Sequence, residues 1–462
     1  MSLEDKLYPL LSVYESMPLG VRKALGVGWR MLPKSVRLGE RFDEFERVVK
    51  ECESWSSDQV AEYQFEQVRR SVEEAWRNCP FYERHFLDAA FDAKGISSLA
   101  DLKKCPFTVK SDLQQSLAGM VSRRLPEADR LYLTTGGSTG MPVGFYLHKG
   151  VSRPKEQAFL DAQWRRAGYQ PGMKLAVIRG QVTDEKADGR ISFYDATRNW
   201  LMLSSYHLSE ERLPEYLTAI EEFQPDLLHA YPSAALQLAE YLEQTGQSWR
   251  TQIRAVLCGS ERLNIPQKRL LERVFKCRVY RWYGHSERVV LAGEGHDSDR
   301  FYFWPSYGYV EFGEPDEDGF QEVIGTSFHN HVMPLIRYRT GDFVKVADSD
   351  KGEFPWPAVT EIAGREQEFL VSKAGRRISL TAFNMHSDIF DDLYAVQFYQ
   401  EEPGVAELRY VPGPGFKSSR LQEIRDGVRM KLGDDFVFEL REVKETEKTG
   451  RGKHKWLVSR LK

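Results

Sequence analysis

Apolar positions in the first 130 residues recur at helical spacing. After Asp58, read as an N-cap, they fall at Ala61, Phe65, Val68, Val72 and Ala75. These steps of four and three residues place one stripe on a helix, which Pro80 ends. From about residue 130 short β-rich runs alternate with helical segments. Leu131–Leu133 leads into a Gly-rich loop, and Lys174–Ile178 is an apolar run followed by Arg179-Gly180. Asp226–Ala230 precedes a helix from Ser233 to Leu242, and Ile253–Cys258 precedes a Gly and another helix. This alternation predicts βαβ units and a largely parallel sheet, with ligand chemistry on loops at the strand C-terminal ends. Residues 300–345 turn β-rich without helices. Phe301–Trp304 and Tyr307–Phe312 are expected to be antiparallel, and Phe343–Val346 to follow a Thr-Gly-Asp turn. Residues 361–462 suggest a smaller α+β unit, with a boundary near Gly364-Arg365.

Composition narrows the function classes. With 41% hydrophobic and 12% aromatic residues among 462, the chain can fill a core. A net charge of −4 argues against a polyanion binder working by bulk charge, so no nucleic-acid partner is expected. Mean hydropathy is −0.50 and no 18-residue apolar run occurs, so no membrane span is expected. The five cysteines are scattered and never spaced C-x-x-C. Neither a disulfide framework nor a cysteine zinc site is expected, and a reducing compartment fits. Residues Met1–Lys6 carry no signal-peptide pattern, and a cytoplasmic location is the expectation.

Five motifs carry candidate chemistry. The first is Thr134-Thr135-Gly136-Gly137-Ser138-Thr139-Gly140-Met141-Pro142-Val143-Gly144. Gly and hydroxyl residues after a strand can wrap a phosphate with N–H and O–H donors, and no Gly-Lys-Ser/Thr makes it a Walker loop. The second is Tyr283-Gly284-His285-Ser286-Glu287, whose Glu could hold Mg²⁺ on a nucleotide. The third is Tyr338-Arg339-Thr340-Gly341-Asp342, whose Asp could accept a ribose diol. The fourth is Gly364-Arg365-Glu366-Gln367-Glu368. The fifth is Thr449-Gly450-Arg451-Gly452-Lys453-His454-Lys455, a Lys on a Gly-rich loop that could neutralise developing phosphate charge. Taken singly, the last reads more readily as a solvated basic tail.

In this order the five resemble the signature series of the adenylate-forming superfamily, over nearly the whole chain. Within it the chain resembles the phenylacetate–coenzyme A (CoA) ligase branch, and most of all the CapK-like group. Gly144–Leu147, Tyr283–Arg288, and Asn330 with Met333–Asp342 carry the closer match. The resemblance implies an α/β fold: a large N-terminal adenylate-forming domain with βαβ sheets and a β-rich subdomain, and a small mobile α+β C-terminal domain. The domains would span 1–365 and 366–462. It implies that Thr135, Gly136, Gly137, Ser138, Thr139 and Gly140 form the ATP phosphate loop. Tyr283 would line adenine beside Gly259, Ser260 and Glu261; Gly284 and His285 would belong to the same wall. Ser286 would meet the α-phosphate and Glu287 would bind Mg²⁺. Asp342, helped by Arg365, would bind the ribose. Gln367 would be the hinge, and Lys453 and Glu287 the catalytic pair. Tyr231, Pro232 and Ser233 would shape the acid pocket.

The implied reaction is ATP-dependent activation of a carboxylic acid, aromatic by the branch, as an acyl adenylate, with transfer to CoA or a carrier thiol. The cofactors would be ATP and Mg²⁺, with CoA as a candidate co-substrate. The alternatives are transfer to an amine such as an aminosugar, adenylylation of a hydroxyl, or a non-enzymatic nucleotide-binding protein. The intact motif set argues against the last. Partners would be a small carboxylic acid and a CoA, carrier-protein or amine acceptor, with the chain a monomer or homodimer. Several positions depart from the pattern: Gly136 replaces a Ser, Gln367 an Asp or Lys, and Glu368 an Asp. Phe354-Pro355-Trp356-Pro357 stands where a related branch carries zinc cysteines, so no zinc is expected. His329 and His331 share a strand face but have no evident third ligand.

Overall fold

A computed structural model describes residues 2–135, 143–180, 190–348, 352–363, 369–380, 389–390, 392–413, 415–433, 436–447 and 455–461. The first 130 residues are helical except for their connections. The helix Ser57–Asn78 begins two residues earlier than a cap at Asp58 implies. Ser56, not Asp58, is the cap: its hydroxyl accepts from Gln59 N while the Gln59 side chain accepts from Ser56 N. The buried stripe accordingly runs through Val60, Gln64, Val68, Val72 and Ala75, leaving Ala61 exposed. Pro80 separates this helix from the next, which it opens at a position needing no N–H.

Strands β1 (Arg130–Thr135) and β2 (Val143–His148) form an antiparallel hairpin. The central sheet then begins with β3 (Leu175–Arg179), β4 (Ser192–Asp195), β5 (Trp200–Ser204), β6 (Leu227–Ala230), β7 (Ala255–Gly259) and β8 (Arg278–Gly284). In the order β8-β7-β6-β3-β5 these strands are parallel, with β4 an antiparallel edge. Both faces are covered, which is why β3, β6 and β7 are near-continuous apolar runs. Ala176, Ile178, Leu228, Ala230, Val256 and Cys258 pack on one side. Leu175, Val177, Leu227, Ala255 and Leu257 pack on the other.

The same sheet continues through β9 (Leu291–Glu294), β10 (Phe301–Phe303), β11 (Gly308–Phe312), β12 (Gln321–Ser327), β13 (Tyr338–Val346) and β14 (Ala358–Ala363), in the order β11-β12-β13-β14-β10-β9-β8. These neighbours pair antiparallel, as the helix-free sequence implies. One expectation is corrected here. Thr340-Gly341-Asp342 is not a turn before a strand but lies inside the nine-residue strand β13. Gly341 has φ +75° there, and the β12–β13 register shifts beside it.

Beyond β14, β15 (Phe369–Val371) and β16 (Arg377–Ser379) form a hairpin. Then β17 (Leu393–Gln400), β18 (Val405–Pro412), β19 (Val437–Glu442) and β20 (Leu457–Ser459) form a separate sheet ordered β19-β18-β17-β20. The helix Arg420–Leu432 packs with it around a core drawn only from residues 370–457. The architecture is mixed α/β with a large sheet and this smaller α+β unit.

Candidate active site

The parallel strands end together on one edge, and each leaves a side chain there. Arg179 closes β3, Tyr231 follows β6, Ser260 follows β7, and Trp282–Gly284 ends β8. Helices of the following segments begin at this edge, so it carries N–H donors as well as side chains. Glu261 occupies one such terminus: its Oε2 accepts from Ser233 N at 2.9 Å, on the second residue of helix Pro232–Thr245. Glu261, Pro232 and Ser233 are thus brought together, with Glu261 in the role of a helix cap.

Motifs far apart in sequence meet beside β8. Tyr283 Oη donates to Asp342 Oδ2 at 2.8 Å, and Tyr338 Oη donates to Glu287 Oε1 at 2.8 Å. Strand β13 lies four places from β8 in the sheet order. At about 4.8 Å per strand a flat sheet would hold them about 19 Å apart. The two hydrogen bonds therefore require the sheet to curl over the end of β8. Burial, then the neighbouring carboxylate, holds both phenols well above their ordinary range. They stay protonated and donate, with Asp342 and Glu287 as the acceptors.

The bulge in β13 aims Asp342. Thr340 Oγ1 donates to Val323 O at 2.7 Å and accepts from Asp342 N at 3.1 Å, while Gly341 N donates to Glu322 Oε1 at 3.1 Å. The arginines of this motif hold structure rather than a ligand. Arg337 makes a forked pair with Glu311 (3.0 Å and 3.0 Å) and donates to the carbonyls of Lys103 and Cys105. Arg339 Nε donates to Glu322 at 2.7 Å. Asn330 Nδ2 ties Tyr146 O to Met333 O. Behind the motif, Thr108 Oγ1 donates to Ile336 O at 2.7 Å, and Tyr82 Oη accepts from Ile336 N at 3.1 Å. The helical N-terminal region thereby buttresses the site.

Glu287 is 6% exposed, in the turn from His285 to Arg288 that leaves β8. His285 Nε2 lies 3.4 Å from Val289 N and its Nδ1 is buried without a protein partner. Gly284 and Ser286 are exposed. Among the described residues no group of three or more His, Cys, Asp or Glu could hold a metal. Glu287 as a single carboxylate fits Mg²⁺ brought in on substrate phosphates, since that ion commonly takes one or two carboxylates beside phosphate oxygens. His329 and His331 go separate ways, to Ser306 O and Glu74 Oε2 respectively.

Sequence reasoning gave no role to Arg179. Arg179 Nη2 donates to Ser260 Oγ at 2.6 Å, and Nη1 lies 2.6 Å from His229 Nε2. Its guanidinium sits 4.7 Å from the Tyr231 ring centre and 5.8 Å from that of Trp282. Arginine can only donate, so Nε2 of His229 accepts and its proton sits on Nδ1. Burial, then the charge of Arg179, holds His229 well below its ordinary range, which agrees with a neutral ring. A signal was present: an Arg ending one apolar strand and a His interrupting the next. Ser260 has φ +72°, a backbone conformation that non-glycine residues rarely hold and that often marks a site.

Gly136, Gly137, Ser138, Thr139 and Gly140, and likewise Arg365, Gln367 and Lys453, lie outside the described residues. Thr135 ends β1, directly before the Gly-rich segment.

No family model matches the chain. It is 22% identical to protein CapK of Staphylococcus aureus over 394 residues, 84% of this chain and 86% of that protein. It is 27% identical to a phenylacetate–coenzyme A ligase of Pseudomonas putida over 334 residues, 69% of this chain and 73% of that one. Among solved structures it is similar to 2-hydroxyisobutyryl-CoA ligase in complex with 2-HIB-AMP and CoA, at TM-score 0.54 and 17% identity. That match covers 87% of this chain and 90% of that one.

Proposed function

We propose that the chain, similar to CapK and the phenylacetate–coenzyme A ligases, is an adenylate-forming ligase that joins a small carboxylic acid to a thiol through an acyl adenylate. The reading rests on one observation above all. Tyr283, Glu287, Tyr338 and Asp342, from two motifs about fifty residues apart, form two short hydrogen bonds at the C-terminal edge of a parallel sheet.

In the first half-reaction a carboxylate oxygen of the acid attacks the α-phosphorus of ATP. A new P–O bond forms, the bond to the β-phosphate oxygen breaks, and pyrophosphate leaves with the electron pair. Positioning and electrostatics dominate such transfers. Asp342 would accept the ribose diol and so fix the nucleotide, with Tyr283 packed beside the base and holding the carboxylate in place. Glu287, oriented by Tyr338, would hold Mg²⁺, which supplies charge to screen two approaching anions. Ser138, Thr139 and Gly140 would cradle the β- and γ-phosphates, with Arg365 helping at the ribose. Lys453 would stabilise the leaving group. The acid would lie between Tyr231, Pro232 and Ser233, where Arg179 offers a cation to a polar group on it. An aromatic acid is what the similarity to the phenylacetate–coenzyme A ligases favours.

In the second half-reaction the acceptor sulfur attacks the acyl carbon and AMP leaves. CoA is the favoured acceptor, and the unit 366–462 would turn about Gln367 between the two steps. Arg376, on the loop after that hinge, donates to Tyr206 O at 2.8 Å, so this loop already reaches the segment that leaves β5. The experiment is ATP–pyrophosphate exchange with Mg²⁺ across aryl, fatty and sugar acids. Exchange that depends on one acid class supports the reading and identifies the substrate. Exchange absent with every acid, while ATP still binds, removes the carboxylate-activation step.

A further inference from the structure

Among the described residues, Arg179 is a cation with no carboxylate partner. Where the chain buries an arginine it supplies one: Arg166 pairs with Glu53, Arg281 with Glu294 and Arg337 with Glu311. Half-buried Arg179 meets instead the Ser260 hydroxyl, the His229 ring and the faces of Tyr231 and Trp282, none of them negatively charged. Glu261, on the same edge of the sheet, turns its Oε2 to Ser233 N. A partly desolvated charge is costly until it is paired, so this position suits an anion that arrives with a ligand.

The guanidinium is also held in place. Its two hydrogen bonds fix both Nη atoms, and the two rings fix its plane. Gly259 makes room for this arrangement, because a Cβ there would collide with the Trp282 indole. The His229 ring lies 5.0 Å from that of Trp164 and 5.3 Å from that of Trp282. Burial, then the charge of Arg179, keeps it neutral, so it adds no second positive charge. One fixed cation matches one monoanion, a carboxylate rather than a doubly charged phosphate. In the order β8-β7-β6-β3, strand β3 stands three strand spacings from β8, about 14 Å. Arg179 therefore lies along the edge from the Tyr283–Asp342 pair. The far end of an acid would reach it while the reacting carboxyl lies at the nucleotide.

On the premise that the chain activates a carboxylic acid, we infer that Arg179 determines specificity. It selects an acid carrying a second carboxylate, on an alkyl or aryl skeleton, over an acid that is neutral at that end. The test is ATP–pyrophosphate exchange by the full chain with glutarate, adipate and terephthalate, each against its monomethyl ester. The ester keeps the skeleton and removes one charge. Aryl, fatty and sugar acids without a second carboxylate are run alongside. A diacid should exceed its ester at least about tenfold in kcat/KM, with the difference in KM for the acid. Arg179→Met should bring that ratio to within about twofold of one, and Arg179→Lys, which keeps the charge, should retain most of it. Three results would overturn the inference and leave the ligase reading standing. They are a ratio near one in the wild type, exchange confined to acids without a second carboxylate, and an equal loss with diacid and ester in Arg179→Met. Exchange absent with every acid would overturn both.

Discussion

Tyr283 and Asp342 share a 2.8 Å hydrogen bond that joins the end of β8 to the bulge of β13, and its direction is set by a phenol held protonated. Asp342 is therefore the acceptor of this bond, and the same carboxylate is the one proposed to take the ribose diol. Asp342→Asn should raise KM for ATP about 10–100-fold, the range expected when a charged hydrogen-bond partner is lost. Tyr283→Phe should cost only a few-fold, because the Thr340 contact to Asp342 N remains. Steady-state kinetics with ATP varied check both, and equal losses in the two variants would contradict the assigned roles.

Glu287 accepts from Tyr338 in a nearly dry setting. Glu287→Gln keeps the acceptor oxygen and removes the charge. The variant should keep its melting temperature within a few degrees and lose about 100-fold or more in kcat, partly restored by raised Mg²⁺. An unchanged Mg²⁺ dependence would place the ion elsewhere.

The secondary structure was largely legible. Alternating apolar runs announced the parallel strands, because strands covered on both faces leave few polar positions. Of the candidate site, the motifs foretold which side chains meet: Tyr283, Glu287, Glu261 and Asp342 all reach one sheet edge. What stayed hidden depended on tertiary packing. The bulge at Gly341 reads locally as a turn, because a Gly with positive φ suits either. Arg179 and His229 acquire meaning only when β3 and β6 lie side by side. The helix Leu19–Met31 has ordinary amphipathic spacing, and only the fold reveals which side faces out.

Among the described residues, Arg179 is the charged group beside the proposed acid pocket that donates to Ser260. Arg179→Met should change the ranking of acids, favouring apolar ones, with changes in kcat/KM of about tenfold and KM for ATP unaffected. Competition assays between polar and apolar acids read this directly. A uniform loss across all acids would mean that Arg179 only positions the Ser260 loop.

Lys155 is buried with its Nζ donating to Tyr307 O at 3.1 Å and lying over that ring. Burial lowers its pKa to about 7, with Glu156 opposing and Arg288 adding to the fall. The exposed amine of the unfolded chain titrates near 10.5, so between those values the unfolded state holds the extra proton. Stability should therefore rise with pH from about 7 towards 10, by up to about 1.4 kcal/mol per pH unit from this group. Lys155→Met should remove that part of the slope. Denaturant melts of both proteins at several pH values measure the difference, and parallel curves would contradict it.

Lys453 is assigned to the first half-reaction alone. Lys453→Ala should lower acid-dependent pyrophosphate release about 10²–10³-fold. It should leave ATP binding intact, along with thioester formation from a supplied acyl adenylate. Equal loss in both half-reactions would withdraw the assignment.

The proposed reaction makes an acyl adenylate and hands its acyl group to a thiol. Hydroxylamine trapping with ATP, Mg²⁺ and a panel of acids, repeated with CoA in place of hydroxylamine, tests it most directly. The account predicts a hydroxamate with one acid class and a CoA thioester from the same acids. ATP binding with no hydroxamate from any acid, or adenylylation of a hydroxyl compound instead, would contradict it.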